Sequence, residues 1–215
     1  DAFTSRRGMI TLNELYGDRF VLGLGVSHPP MVEGLRGHTY EKPIPAMRRY
    51  LNGIMKDQPG SADWPVCVAA LGPLMMKLSG EMTQGAIPYN TNPRHTAEAA
   101  KILGPNKWLA IEQKVTLETD PAKARALGRK ELERYLALDN YRNNFLRIGF
   151  TEKDLENGGS DAFIDQMCLW GTADQVKAGL RAHFAAGATH VAIQPVHAEG
   201  DIAARDHILT ALADT

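Results

Sequence analysis

In Phe20-Val-Leu-Gly-Leu-Gly-Val-Ser27, bulky Phe20, Leu22, Leu24 and Val26 alternate with Val21, Gly23, Gly25 and Ser27. Successive strand residues point to opposite faces, so such a strand has one crowded face and one nearly bare one. A bare face leaves room for a broad planar ligand; the other reading is that the glycines let a neighbour or a bulge pack closely. His28 follows directly. Imidazole exchanges protons near neutral pH, which makes His28 the acid–base candidate of this run, against the alternative of a structural or solvent-facing histidine.

A second element is Ala69-Ala-Leu-Gly-Pro73, where a short apolar run gives way to a helical one. Proline suits the first helical position, and the unpaired N–H groups of a helix start, aided by its dipole, can hold a phosphate. An ordinary Gly-Pro turn reads the same way. Tyr89 closes the next strand-like run, Gly85-Ala-Ile-Pro-Tyr89, while His38 and Tyr40 fall in a strand-to-helix loop and are substrate-contact candidates.

Several chemistries are excluded. His190 and His197 flank a strand, and His95, His183 and His207 read as solvated helix residues, with no metal-ligand spacing, so no metal is expected. Ser27-His28 and Ser160-Asp161 lack a Gly-x-Ser-x-Gly elbow, which excludes that hydrolase pattern. The 24 basic and 25 acidic residues are interspersed at net charge −1, so no nucleic-acid or anionic-membrane footprint is present. Cys67 and Cys168 sit in apolar surroundings and read as buried thiols of a reducing compartment. No apolar run nears the roughly 18 residues of a membrane helix, and a cytoplasmic location is expected.

The elements that must position these groups alternate. Helices are expected at 2–16, 44–56, 73–82, 93–103, 121–137, 173–186 and 200–213, and strands at 19–26, 65–71, 85–89, 108–117 and 190–194. Thr172-Ala-Asp-Gln175 has capping-box spacing. The charged helix over 121–137 reads as a solvated outer face, and 139–168 reads as short helices joined by loops. Strand–helix alternation gives a parallel α/β fold, one domain over 1–215. A doubly wound dinucleotide fold is weakly supported, because Gly23 and Gly25 lack the third glycine of its fingerprint.

Asp18-Arg-Phe-Val-Leu-Gly-Leu-Gly-Val-Ser-His28, Tyr40-Glu-Lys-Pro43, Ala69-Ala-Leu-Gly-Pro73, Gly85-Ala-Ile-Pro-Tyr89 and Gly171-Thr172…Gly187-Ala188…Val191 resemble luciferase-like monooxygenases in order and spacing. The similarity is greatest to the coenzyme F420 (deazaflavin)-dependent oxidoreductase branch and runs from about residue 10 to 196. It implies a (β/α)8 TIM barrel with its site at the C-terminal strand ends. It also implies coenzyme F420, or alternatively FMN, and hydride exchange with a small organic substrate. By the same resemblance Gly25, Val26, Ser27 and His28 approach the ring or ribityl chain, Leu71, Gly72 and Pro73 match the phosphate-side turn, and Tyr89 borders ring or substrate.

A closed barrel needs eight strands and about 250 residues, whereas about five are legible here. The chain opens at Asp1 within a helix-like segment. The expectation is a C-terminal part of the barrel, lacking about three βα units, with exposed edges that favour a homo-oligomer such as a dimer. The alternatives are a non-catalytic remnant that self-associates and a phosphate-binding TIM barrel of other chemistry.

Overall fold

The computed structural model describes residues 1–213, and the chain divides into two compact units, 1–87 with 102–108 and 88–101 with 109 onward.

The first unit opens with α1 (Ala2–Tyr16), started by the Asp1 side chain accepting from the Thr4 N–H and stopped by Gly17 at φ 64°. The chain then runs through β1 (Leu22–Leu24), α2 (Pro43–Met55), β2 (Val66–Val68), α3 (Pro73–Met82) and β3 (Gly85–Ala86). The three strands are parallel, Gly23 beside Cys67 and Cys67 beside Gly85, and the ladder continues past β1 through the Ala69 N–H to the Leu24 carbonyl. Met9, Met47, Leu51 and Ile54 are buried on α1 and α2, and the Ser5 and Tyr50 hydroxyls bond across the pair at 2.8 Å.

The second unit holds most of α4 (Pro93–Leu103) and β4 (Trp108–Thr116), then α5 (Pro121–Leu136), α6 (Asp139–Arg147) and α7 (Asp161–Met167). It ends with β5 (Cys168–Trp170), α8 (Ala173–Ala185), β6 (His190–Pro195) and α9 (Ile202–Ala211). β4 pairs in parallel with β5 and with β6, Lys114 lying beside Cys168 on one side and Gln194 on the other. On one face of β4, Val115 is buried with Val176 and Leu180 of α8, Ile208 of α9 and Leu212 just beyond it. On the opposite face, that of Glu112 and Lys114, lies α5: a Cβ on Gly128 would stand 3.3 Å from the Cys168 Cβ.

The parallel α/β reading and the five expected strands hold, and helices α1, α3 and α4 span the predicted residues. A sixth strand, β5, was not expected, and its first residue, Cys168, falls in the region read as short helices. It follows α7 with no intervening turn residue to mark its start. The Thr172 capping box is present, each side chain bonding the other's backbone N–H.

Candidate functional site

In the first unit the alternation seen in the sequence becomes a surface. Gly23 and Gly25 are exposed while Leu22, Leu24 and Val26 are half-buried, and the neighbouring strand end carries the small, exposed Ala69. A Cβ on Gly25 would come within 3.3 Å of the Ala69 Cβ, and one on Gly23 within 3.3 Å of Ile87 Cδ1. Any side chain at either glycine would therefore crowd this strip.

Ser27 leaves this strip at φ 61°, a left-handed conformation that a non-glycine residue adopts at some cost and that is common at functional sites. The backbone then makes a single π-type turn, Pro30–Leu35, with the Met31 and Val32 N–H groups returning to the His28 carbonyl. The loop is tied back by Tyr40, whose hydroxyl donates to the Ser27 carbonyl at 3.3 Å and whose N–H donates to Glu33 Oε1 at 3.1 Å. Burial raises the Tyr40 phenol above its ordinary value, so it is a neutral donor. Gly25, Val26 and Tyr40 share the wall of a cavity of about 320 Å³ with Leu24, Met47 and Tyr50. His28 is half-buried and His38 exposed. Tyr40 is thus brought to the Gly25–Ser27 segment, whereas His38 does not line this cavity.

Leu71-Gly72-Pro73 forms the start of α3 as expected. Gly72 is the residue before the helix, at φ −87° and ψ 162°, with Pro73 in the first turn. No atom lies within 4 Å of where a Gly72 Cβ would be, so the helix start is open. The backbone at Gly72 is extended and does not require glycine.

Tyr89 lies in the second unit, within a polar cluster the sequence reading missed. The Tyr89 hydroxyl bonds that of Tyr135 at 2.9 Å and donates to Gln194 Oε1 at 2.5 Å. The Lys114 side chain is fully buried, donating to Asn90 Oδ1 at 2.6 Å and to Glu112 Oε1 at 3.1 Å. Its ammonium stands 4.2 Å from the Tyr89 ring centroid and 5.1 Å from that of Tyr135. Burial lowers the Lys114 pKa against the opposing pull of Glu112, and burial raises that of Glu112 against the opposing pull of Lys114. The signal for this site was in the sequence: Glu112 and Lys114 are two apart in one strand, which puts both charges on one face.

Two expectations need correction. His95 and His183 are not solvated helix residues: both are 1% exposed. His183 faces Gln113 on β4, because its helix packs that side on the sheet. The charged helix, α5, is only partly a solvated face. Ala124, Gly128 and Leu132 are buried, and Arg125 makes a paired contact with Asp165 at 2.7–2.9 Å on α7. Cys67 and Cys168 are buried free thiols, as read. Among the described residues no helix is long and apolar enough to cross a membrane, and no group of three or more metal-ligating side chains is present.

No family model matches the chain. A Mycobacterium tuberculosis protein assigned as a coenzyme F420-dependent oxidoreductase is 29% identical over 119 residues, covering 40% of this chain. The match spans about a third (34%) of that relative's length. Among solved structures, an F420-dependent secondary alcohol dehydrogenase in complex with an F420–acetone adduct superposes with a TM-score of 0.68 at 14% identity, over 99% of this chain and 75% of that one. The F420-dependent tetrahydromethanopterin reductase of Methanopyrus kandleri gives 0.66 at 15% identity, over 99% of this chain and 78% of the reductase. The FMN-bound oxygenating component of a Pseudomonas putida diketocamphane monooxygenase gives 0.68 at 14% identity, over 100% of this chain and 74% of that one. The chain therefore resembles a coenzyme F420-dependent oxidoreductase in sequence over part of its length, and it has the TIM-barrel-type α/β fold of these solved structures, with parallel strands in each of its two units.

Proposed function

We propose that this chain is part of an oxidoreductase that binds coenzyme F420, or alternatively FMN, and exchanges hydride with a small organic substrate. The observation that carries this reading is the open strip of Gly23, Gly25 and Ala69, in the same unit as the open helix start at Gly72. The first accepts a flat ring system, and the second offers backbone N–H groups to a phosphate. The residues present thus fit the cofactor. Gly25, Val26 and Ser27 would lie along the ring or its ribityl chain, and Leu71, Gly72 and Pro73 would take the phosphate side. When bound, the cofactor supplies a two-electron hydride carrier; the protein supplies placement and exclusion of water. Tyr40 and His38 are assigned to the substrate, and His28 is the acid–base candidate of this segment.

The test is a titration of the full chain with F420 and with FMN, followed by absorbance at about 400–450 nm, where such ring systems absorb. Saturable binding of one of them is expected. Absence of saturable binding to either overturns the reading. Stabilisation by sugar phosphates in its place would indicate a phosphate-binding enzyme of other chemistry, and a tight oligomer that binds neither would indicate a self-associating, non-catalytic protein. A homodimer is expected by light scattering, since β1 has β2 as its one strand partner among the described residues and so leaves an open edge.

A further inference from the structure

Protein interiors pack closely, and the voids left between side chains rarely exceed a water molecule. The cavity of about 320 Å³ beside Gly25 is far larger. At about 30 Å³ per water it has room for roughly ten non-hydrogen atoms. It is bounded by the end of β1, the first turns of α2 and the loop between them, all in the first unit. Two hydrogen bonds fix its wall: the Tyr40 hydroxyl donates to the Ser27 carbonyl, and the Tyr50 hydroxyl is joined to Ser5 on α1 at 2.8 Å.

Leu24, Val26, Val32 and Met47 give the wall an apolar side, and Glu41 and Arg49 give it two charges. Arg49 Nη2 donates to Glu41 Oε1 at 2.6 Å, the one hydrogen bond of this guanidinium among the described residues. A guanidinium carries five N–H donors in a planar fork that matches a carboxylate, so most of its capacity is unspent. The two side chains are 63% and 53% exposed, and an ion pair so open to water adds little to stability. It can therefore be exchanged for another at little cost. Glu41 precedes the first turn of α2, where the helix dipole favours a negative charge, so it keeps a favourable place without Arg49. Arg49, in the middle of α2, has no such substitute, and a second carboxylate is the partner its fork accepts.

We propose that this cavity is the substrate site and takes a small apolar monocarboxylate, with its carboxylate on Arg49 in place of Glu41 and its chain along Leu24, Val26, Val32 and Met47. Its role as substrate rests on the oxidoreductase reading above, whereas the binding of the carboxylate does not. Two observations join the cavity to that reading. Tyr40, assigned above to the substrate, stands in the wall. Gly25 belongs both to the wall and to the open strip, and it lies just past the last residue of β1, where the sheet no longer separates its two sides. A molecule seated in the cavity therefore ends against the place assigned to the cofactor ring.

The test is calorimetry on the full chain with branched carboxylates of roughly ten non-hydrogen atoms, each beside its primary amide and the matching amine. The carboxylate is expected to bind about tenfold more tightly than the amide, the advantage of a charge-assisted hydrogen bond over a neutral one. Arg49→Met should abolish that preference and Arg49→Lys restore part of it. Glu41→Gln removes the competing carboxylate and should tighten binding several-fold; it decides the matter if Arg49→Met does not fold. Equal affinity for carboxylate and amide, or a preference for the amine, overturns the proposal. Saturating F420 or FMN is expected to tighten the carboxylate, since a substrate that meets the ring couples the two sites in both directions. An affinity indifferent to bound cofactor leaves the carboxylate site standing and overturns its assignment to the substrate. A chain that binds the carboxylates but neither cofactor overturns the oxidoreductase reading and the substrate role with it, and leaves the carboxylate site standing.

Discussion

His183 Nε2 donates to Gln113 Oε1 across 2.9 Å, between α8 and β4, with both residues 1% exposed. The direction follows from the rest of the network. Gln113 Nε2 already donates to the Lys114 and Met167 carbonyls, so Oε1 is the acceptor, and His183 Nδ1 is left to accept from the Thr96 hydroxyl at 2.8 Å. The neutral imidazole is the form that fits.

This fixes a pH dependence. Burial first, and His95 second, lower the His183 pKa to about 4, against about 6.5 in an unfolded chain. Between those values the unfolded chain binds a proton that the folded one does not. Stability is therefore complete above about pH 6.5 and is lost as pH falls toward 4, by on the order of 3 kcal/mol from this group. Urea melts across that window should show the loss. In His183→Gln the slope should flatten while stability at neutral pH drops by about 1–3 kcal/mol. An unchanged slope would assign the acid sensitivity to other groups.

The helix start at Gly72 offers a separation of stability from binding. Its extended backbone suits any residue, and an Asp there would cap α3 with a carboxylate. Gly72→Asp is expected to raise thermal stability by a few tenths of a kcal/mol. The same carboxylate would repel a phosphate, so F420 or FMN affinity should fall at least about tenfold, or about 1.4 kcal/mol. Unchanged affinity would remove Leu71–Pro73 from the phosphate side.

Two helical glycines should respond to alanine with opposite signs. Gly8 on α1 has nothing within 4 Å of a Cβ, so Gly8→Ala should gain about 0.5–1 kcal/mol from helix propensity. At Gly128 a Cβ would stand 2.8 Å from Ile164 Cγ2. There the overpacking of a helix seated on the sheet should outweigh propensity and cost about 1–3 kcal/mol. Chemical denaturation of the two variants side by side checks both signs.

The sequence made the element order and the glycine strip legible, because both depend on period-2 alternation and on residues with few conformational uses. β5 was not legible because it follows α7 directly, with no turn residue to separate strand from helix. His183 was misread for a different reason. A helix-borne polar residue is solvated by default, and the partner that buries it, Gln113, lies 70 positions away on a strand. Tyr89 was marked by its place at a strand end, but its partners Lys114, Tyr135 and Gln194 come together only through the parallel pairing of β4 with β6 and the packing of α5. Local pattern finds the strand that bears a charge; only the fold finds what surrounds it.

The two cysteines give a direct measure of how well both cores are closed. Burial pushes the Cys67 thiol up to about 11, and burial with the charge of Glu112 pushes Cys168 up to about 12 despite the opposing Lys114. The thiolate is the reactive form, so at pH 8 roughly one thiol in a thousand or fewer is ionised at either position. Neither is accessible, at 2% and 0% exposure. A disulfide reagent should therefore leave the native chain unlabelled and titrate 2 thiols in denaturant. Native labelling should be limited by opening of the fold, and Gly128→Ala, which presses on Cys168, should speed that site and leave Cys67 unaffected. Rapid labelling of Cys168 in the wild type would show that α5 does not hold its place over the Lys114 face of β4.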